Sequence, residues 1–264
     1  MNQPLSYFSF ILCLVIVTIC FVGAVYLAYR KSDRLRDMVQ FVVSPKDNLI
    51  LDLKISSIIK TAIWFILIHV SITIVYHFAD LIFYSESAET SIGDSVQTLP
   101  IWVVLILPPI LEETAFRMPL KRKRLYITLS SAAIMFFISA IIFSSKVYSV
   151  TWERLLSCAI VALIAWFWGY KWISKIKFKT WLWILVLSFS ILHIINYDLS
   201  AMDVGKWIRV VLKEAVKIPS ALMFSYIRIK HGFGTSVTVH FTINASAYLL
   251  GSLAWRTIIH LTAV

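Results

Sequence analysis

The sequence predicts an all-α, polytopic integral membrane protein of about eight transmembrane helices, enclosing an intramembrane polar cavity. Three observations carry that prediction. The chain of 264 residues is 59% hydrophobic and only 15% charged, where a soluble domain carries about a quarter charged residues. Apolar runs long enough to cross a bilayer recur along its whole length. Basic connections alternate with neutral or acidic ones, as expected of a chain that crosses repeatedly. The formal net charge of +11 therefore points to anionic lipid head groups, and no nucleic-acid partner is expected.

The runs follow in order. Tyr7 to Tyr29 has no basic start and is longer than a signal-peptide core, so it reads as a first helix, not a cleaved leader. A basic connection with Arg30, Lys31, Arg34 and Arg36 follows. The second run extends from Ile55 to Tyr84, and Ser85 to Gln97 is a polar segment made acidic by Glu86, Glu89 and Asp94. The third starts at Leu99 and closes on Lys121-Arg122-Lys123-Arg124, which reads as a topology anchor. Leu125 to Ser144 and Leu155 to Ile173 are the fourth and fifth, Trp181 to Asn196 the sixth. The seventh, Trp207 to Ile227, is polar for a span. Arg209, Lys213 and Lys217 recur there every four residues, so they share one face of a snorkelling or interfacial helix, or of a gate. The eighth runs from Phe233 to Ile259.

By the positive-inside rule, the loops at Arg30, Lys121, Lys175 and Lys230 are cytoplasmic and both termini lie outside, as in a bacterial inner (plasma) membrane. Lys146 and Arg154 are the exceptions. No repeat or soluble domain is visible, so residues 1–264 read as one membrane domain. Cys13, Cys20 and Cys158 lie inside predicted spans with neither a disulfide framework nor metal-ligand spacing. Trp172, Trp181, Trp207 and Trp255 sit where interfacial belts are expected.

Chemistry enters at Pro108-Pro109-Ile110-Leu111-Glu112-Glu113-Thr114-Ala115-Phe116-Arg117. Ionisable groups near hydrocarbon cost several kcal/mol each unless paired, so such residues imply function. On a helix, Glu113 and Arg117 are one turn apart and can pair, while Glu112 points about 100° away. The two prolines lack amide donors and should loosen or kink the helix just before the carboxylates. Two further runs place polar groups at helical spacing: Phe189 with His193, and His240 with Asn244. Glu112 lies nine residues before Lys121, His240 ten after Lys230, and His193 fourteen after Lys179. At about 1.5 Å per residue these depths are roughly 14, 15 and 21 Å, close enough for one shared cavity. A carboxylate and an imidazole can hold and deprotonate water, and an amide with a second imidazole can stabilise an oxyanion.

Glu112-Glu113-x-x-x-Arg117, then Phe189-x-x-x-His193, then His240-x-x-x-Asn244 resemble the three ordered motifs of the CAAX protease and bacteriocin-processing (CPBP) family of intramembrane glutamic endopeptidases. The resemblance covers Leu99 to Asn244, the core 99–244. It implies Glu112 as general base for water and His193 as a group that helps bind that water. It assigns His240 and Asn244 to the oxyanion, with Glu113 and Arg117 holding the site together beside Phe189. It implies no cofactor and no metal, and the chain has no HExxH helix. A membrane-associated or lipidated peptide or protein is the implied substrate.

Three features depart from the family pattern. The gap from Glu112 to His193 is about twice that expected and reads as an inserted helical hairpin over 125–174. Met118 replaces the usual glycine after the arginine, and Pro119 follows. Phe65-x-x-x-His69 imitates the second motif ahead of the glutamates. His77 and Asp80 read as interfacial, and His231 and His260 as loop or helix-end residues. Two rival readings stay open: a non-catalytic membrane immunity or stress-tolerance protein that keeps the fold, and a transporter. The transporter reading predicts internal repeats between the halves.

Overall fold

The computed structural model describes residues 26–83, 100–197 and 203–262. The first predicted span therefore lies almost wholly outside the described residues, as does the Ser85–Gln97 segment. Ser32 caps helix α1 (Asp33–Val43) by accepting a hydrogen bond from the Leu35 amide. Leu35, Met38 and Phe41 then recur at helical spacing and are buried. The basic stretch that reads as a connection in the sequence thus holds a helix, because its apolar positions share one face.

Helix α2 (Ile55–Phe83) follows, then α3 (Ile101–Phe116), α4 (Arg124–Ile142) and α5 (Trp152–Ile173), the last with a π-helical turn at Ala165–Gly169. Next come α6 (Phe178–Leu192), ending in a 3-10 turn His193–Asn196, then α7 (Val204–Ala215), α8 (Lys217–His231) and α9 (Phe233–Thr262). The described structure is all helical. Gly232, at φ +95°, supplies the left-handed turn that reverses the chain between α8 and α9. Helix α3 packs on α4, α6 and α9; α8 packs on α6, α9 and α2. The short helices α3, α6 and α8 and the start of α9 thus form the centre.

Among the described residues, three helices are long and apolar enough to cross a membrane: Ile55–Tyr76 within α2, α4 and α5. Their side chains are largely exposed, with Leu156, Leu163, Trp168 and Trp172 on α5 all outward. Helices α3, α6 and α8 have 16, 15 and 15 residues. At about 1.5 Å per residue each falls short of the ~30 Å hydrocarbon layer.

Two expectations need correction. The single seventh span is two helices, broken at Val216. Pro219 cannot donate to the Ala215 carbonyl, so a continuous helix would lose a bond there. Trp181 does not face outward in a belt: it is buried and donates through Nε1 to the Pro119 carbonyl at 3.1 Å. Helix α3 holds both Pro108 and Pro109 within its length. His231 ends α8, as a helix-end residue should, and is buried, with Nδ1 2.6 Å from the Asp52 carbonyl and Nε2 3.0 Å from Thr61 Oγ1.

Helices α4 and α5 pack along each other as a hairpin. Arg154, an exception to the charge pattern, explains its own position. Its guanidinium is fully buried and donates to Ser139 Oγ at 2.9 Å and to the Phe136, Lys146 and Val147 carbonyls at 2.7, 2.8 and 2.9 Å. It also stacks on Phe136, 4.1 Å from the ring centre. One cation thereby ends α4 and orders the 143–151 connection. Arg154→Met keeps the stem but removes every donor. Leaving several buried carbonyls unpaired costs about 3 kcal/mol, so the variant's melting temperature in detergent is expected to fall by several degrees. An unchanged melting curve would remove this role.

Candidate functional site

The site is assembled from three helices. Glu112 and Glu113 come from the last turn of α3, His193 from the end of α6, and His240 from α9. Glu113 is fully buried and satisfied on all sides. Its Oε1 accepts from His240 Nδ1 at 3.0 Å and pairs with Arg117 Nε at 3.6 Å, and its Oε2 accepts from Ser236 Oγ. Arg117, equally buried, is sandwiched by aromatic faces. Its guanidinium carbon lies 4.0 Å from the centre of Phe189, 5.4 Å from Phe224 and 6.0 Å from Phe116. Desolvating the guanidinium is offset by its carboxylate and by three π faces.

Glu112 points elsewhere, as the 100° step between adjacent helical residues requires. Its carboxylate is partly open and lies between two imidazoles, with Oε1 3.9 Å from His193 Nε2 and Oε2 3.7 Å from His240 Nε2. Both rings are oriented from behind. His193 Nδ1 lies 2.7 Å from the Phe189 carbonyl, and His240 Nδ1 faces Glu113. Both partners can only accept, so each Nδ1 carries its proton and each Nε2 faces Glu112. Separations of 3.7–3.9 Å are too long for direct hydrogen bonds and suit bridging water. Phe224 stacks on His240 and Phe189 meets His193 edge-on, both at 4.5 Å.

Six of the seven residues singled out by the sequence therefore converge: Glu112, Glu113, Arg117, Phe189, His193 and His240. Asn244 is half-buried one turn beyond His240, and no hydrogen bond joins it to the other six. His69 places its Nδ1 2.7 Å from Ser220 Oγ and lies within electrostatic range of His240. The side chains of His77, Asp80 and His260 lie outside the described residues.

Sequence reasoning missed Ser236, Phe224 and the polar group beside His193. Ser236 is four residues before His240, a helical spacing that marks it in retrospect. Phe224 left no signal among many aromatics. Beside His193, Tyr197 donates to Glu214 Oε1 at 2.8 Å, and Lys217 Nζ lies 2.7 Å from Glu214 Oε2. Tyr148, from the hairpin connection, is packed against the core within electrostatic range of Glu112. Burial first, and then that charge, push its phenol pKa upward, so it stays protonated. Among the described residues, no cluster of three or more potential ligands with metal-binding geometry is present.

No protein-family model matches the chain, and no curated protein or solved structure does either.

Removing Arg117 strands a buried carboxylate. Arg117→Ala is expected to cost about 3–5 kcal/mol and to lower the yield of folded protein. Normal yield with an unshifted melting temperature would show that Ser236 and His240 alone satisfy Glu113.

Proposed function

We propose that this protein is an intramembrane glutamic peptidase of the CAAX-protease-like kind, crossing the bilayer about eight times around a polar cavity. One observation carries the reading: a partly open carboxylate faced by two Nε2 atoms from two other helices, each ring held at Nδ1. Water bridging Glu112 and His193 loses a proton to Glu112 as its oxygen attacks a peptide carbonyl. The oxyanion is met by His240 Nε2–H, whose imidazolium charge is balanced by Glu113 behind it. Glu112 then passes the proton to the departing amine as the C–N bond breaks. Phe189 and Phe224 keep the rings in place. Asn244, one turn beyond His240 on α9, is the second oxyanion donor.

The substrate implied is a membrane-associated or lipidated peptide, because the long helices α2, α4 and α5 present apolar surfaces outward. Met118 and the long gap between Glu112 and His193 feed the rival reading of a non-catalytic immunity or stress-tolerance protein. Quenched hydrophobic and lipidated peptides, incubated with purified protein in detergent, decide between them. Glu112→Gln should stay folded and lose ~10³-fold in turnover. Wild-type turnover in that variant would eliminate the mechanism, and a well-folded wild type cleaving no peptide would favour the rival.

The two histidines make a separate prediction. His193→Ala should lose at least ~10²-fold in kcat, while His69→Ala retains most activity. The reverse result would reassign the water-binding role to His69.

A further inference from the structure

Helix α8 has two sides with different company. On one side Phe224 meets His240 and Arg117. At about 100° per residue, Pro219, Met223, Tyr226 and Lys230 fall on the opposite side and form one stripe. Two openings follow each other along that stripe. The first is an apolar slot of about 230 Å³, walled by Met38 and Val39 of α1, Ile68 of α2, and Pro219, Met223 and Tyr226 of α8. Val39 is also exposed, so the slot has a mouth at the surface. The second, one turn further along α8, is a cleft of about 600 Å³ walled by Leu51, Asp52, Leu53, Lys54 and Lys230.

Asp37 joins the two openings. It accepts from the Tyr226 hydroxyl at 2.7 Å, and Lys230 Nζ lies 3.2 Å from the same oxygen. Arg34 pairs with Asp52 at 3.3 Å. Three cations, Arg34, Lys54 and Lys230, therefore stand around two carboxylates, Asp37 and Asp52. Lys54 is exposed, and among the described residues its ammonium makes no ion pair. The rim thus carries one positive charge in excess.

We propose that the two openings are one site for an anionic phospholipid of the bilayer. An acyl chain fills the slot, and the phosphodiester rests in the cleft against Lys54 and Lys230. Three features select this occupant. The slot lining is apolar, so methylene groups gain by entering it and a polar group does not. The excess charge on the rim is one, which a phosphodiester monoanion balances through charge-assisted hydrogen bonds. Helix α2, long and apolar enough to cross a membrane, gives Ile68 to the slot and turns Ile59, Ile63 and Leu67 outward, so the site adjoins a surface suited to hydrocarbon. The lipid tail of a peptide substrate is the poorer occupant, because α8 would stand between it and the Glu112 side. A lipid held there ties α1 to α2 and α8, whatever reaction the glutamates perform.

The test uses the full chain, delipidated in mild detergent, and native mass spectrometry. Phosphatidylglycerol, phosphatidylcholine and water-soluble glycerol phosphate are added in turn. One phosphatidylglycerol should be retained per chain, about tenfold more tightly than either of the others. Lys54→Gln should bring phosphatidylglycerol to the phosphatidylcholine level, and Lys54→Arg should restore the difference. Val39→Trp, which plugs the mouth, should weaken both lipids about tenfold. Both positions are exposed, so the lipid-free variants should melt like the wild type. Equal retention of the two lipids, or a preference untouched by Lys54→Gln, overturns the proposal, since lipid merely coating an apolar surface behaves that way. Glycerol phosphate bound as tightly as phosphatidylglycerol overturns it too, because the slot would then have no part in binding. So does a lipidated peptide that displaces the phospholipid and is itself lost in Val39→Trp, which would assign the slot to the substrate.

Discussion

The arrangement depends on one buried ion pair, Glu113 with Arg117, one turn apart at the end of α3. Neither group is exposed, and an unpaired charge of either sign there would cost several kcal/mol. Each partner recruits other helices to satisfy itself. The guanidinium draws Phe189 from α6 and Phe224 from α8; the carboxylate draws Ser236 and His240 from α9. The pair is therefore a structural centre and also the device that sets the His240 ring. The two groups are satisfied differently: the carboxylate by hydrogen bonds, and the guanidinium by its charge partner and aromatic faces, since among the described residues neither terminal nitrogen of Arg117 meets a hydrogen-bond acceptor.

Adjacent carboxylates on one helix thus acquire different lives. Glu113 is consumed by packing. Glu112 is rotated by 100° and keeps its oxygens clear of any short bond. Arg154 makes a useful contrast. It is equally buried, but its partners are Ser139 and a ring of carbonyls, so it orders a connection and orients nothing at the site. A buried guanidinium is an organiser in both places, and what it organises is set by the acceptors that reach it.

Much of this was legible in the chain. The helix class followed from apolar runs, and the i,i+4 pairs Glu113–Arg117 and Phe189–His193 followed from helical spacing. The helix pair within 125–174 was legible because both of its apolar runs are long. What failed did so for local reasons. Val216 is unremarkable in sequence, yet Pro219 three residues later decides where α7 ends. The α1 segment was masked by its charges, although Leu35, Met38 and Phe41 carry the burial. The shared burial of His231 and Trp181 depends on partners distant in the chain, Thr61 and Pro119, which no short-range pattern encodes. Asn244 shows the opposite limit: spacing put it on the His240 face, but spacing cannot supply the partner.

The distribution of helix lengths has a consequence for access. The polar groups lie on α3, α6 and the start of α9, while long apolar helices α2, α4 and α5 stand outside them. Hydrocarbon around such a centre would exclude water, and on the peptidase reading water has to enter. Beside α7 polar side chains accumulate, with Tyr197, Glu214, Lys213 and Lys217 grouped next to His193. Water would favour that side, because it needs partners that hydrocarbon cannot offer. There α7 leaves its apolar residues exposed and its lysines half-buried, so its polar row meets the protein and its apolar row the surroundings.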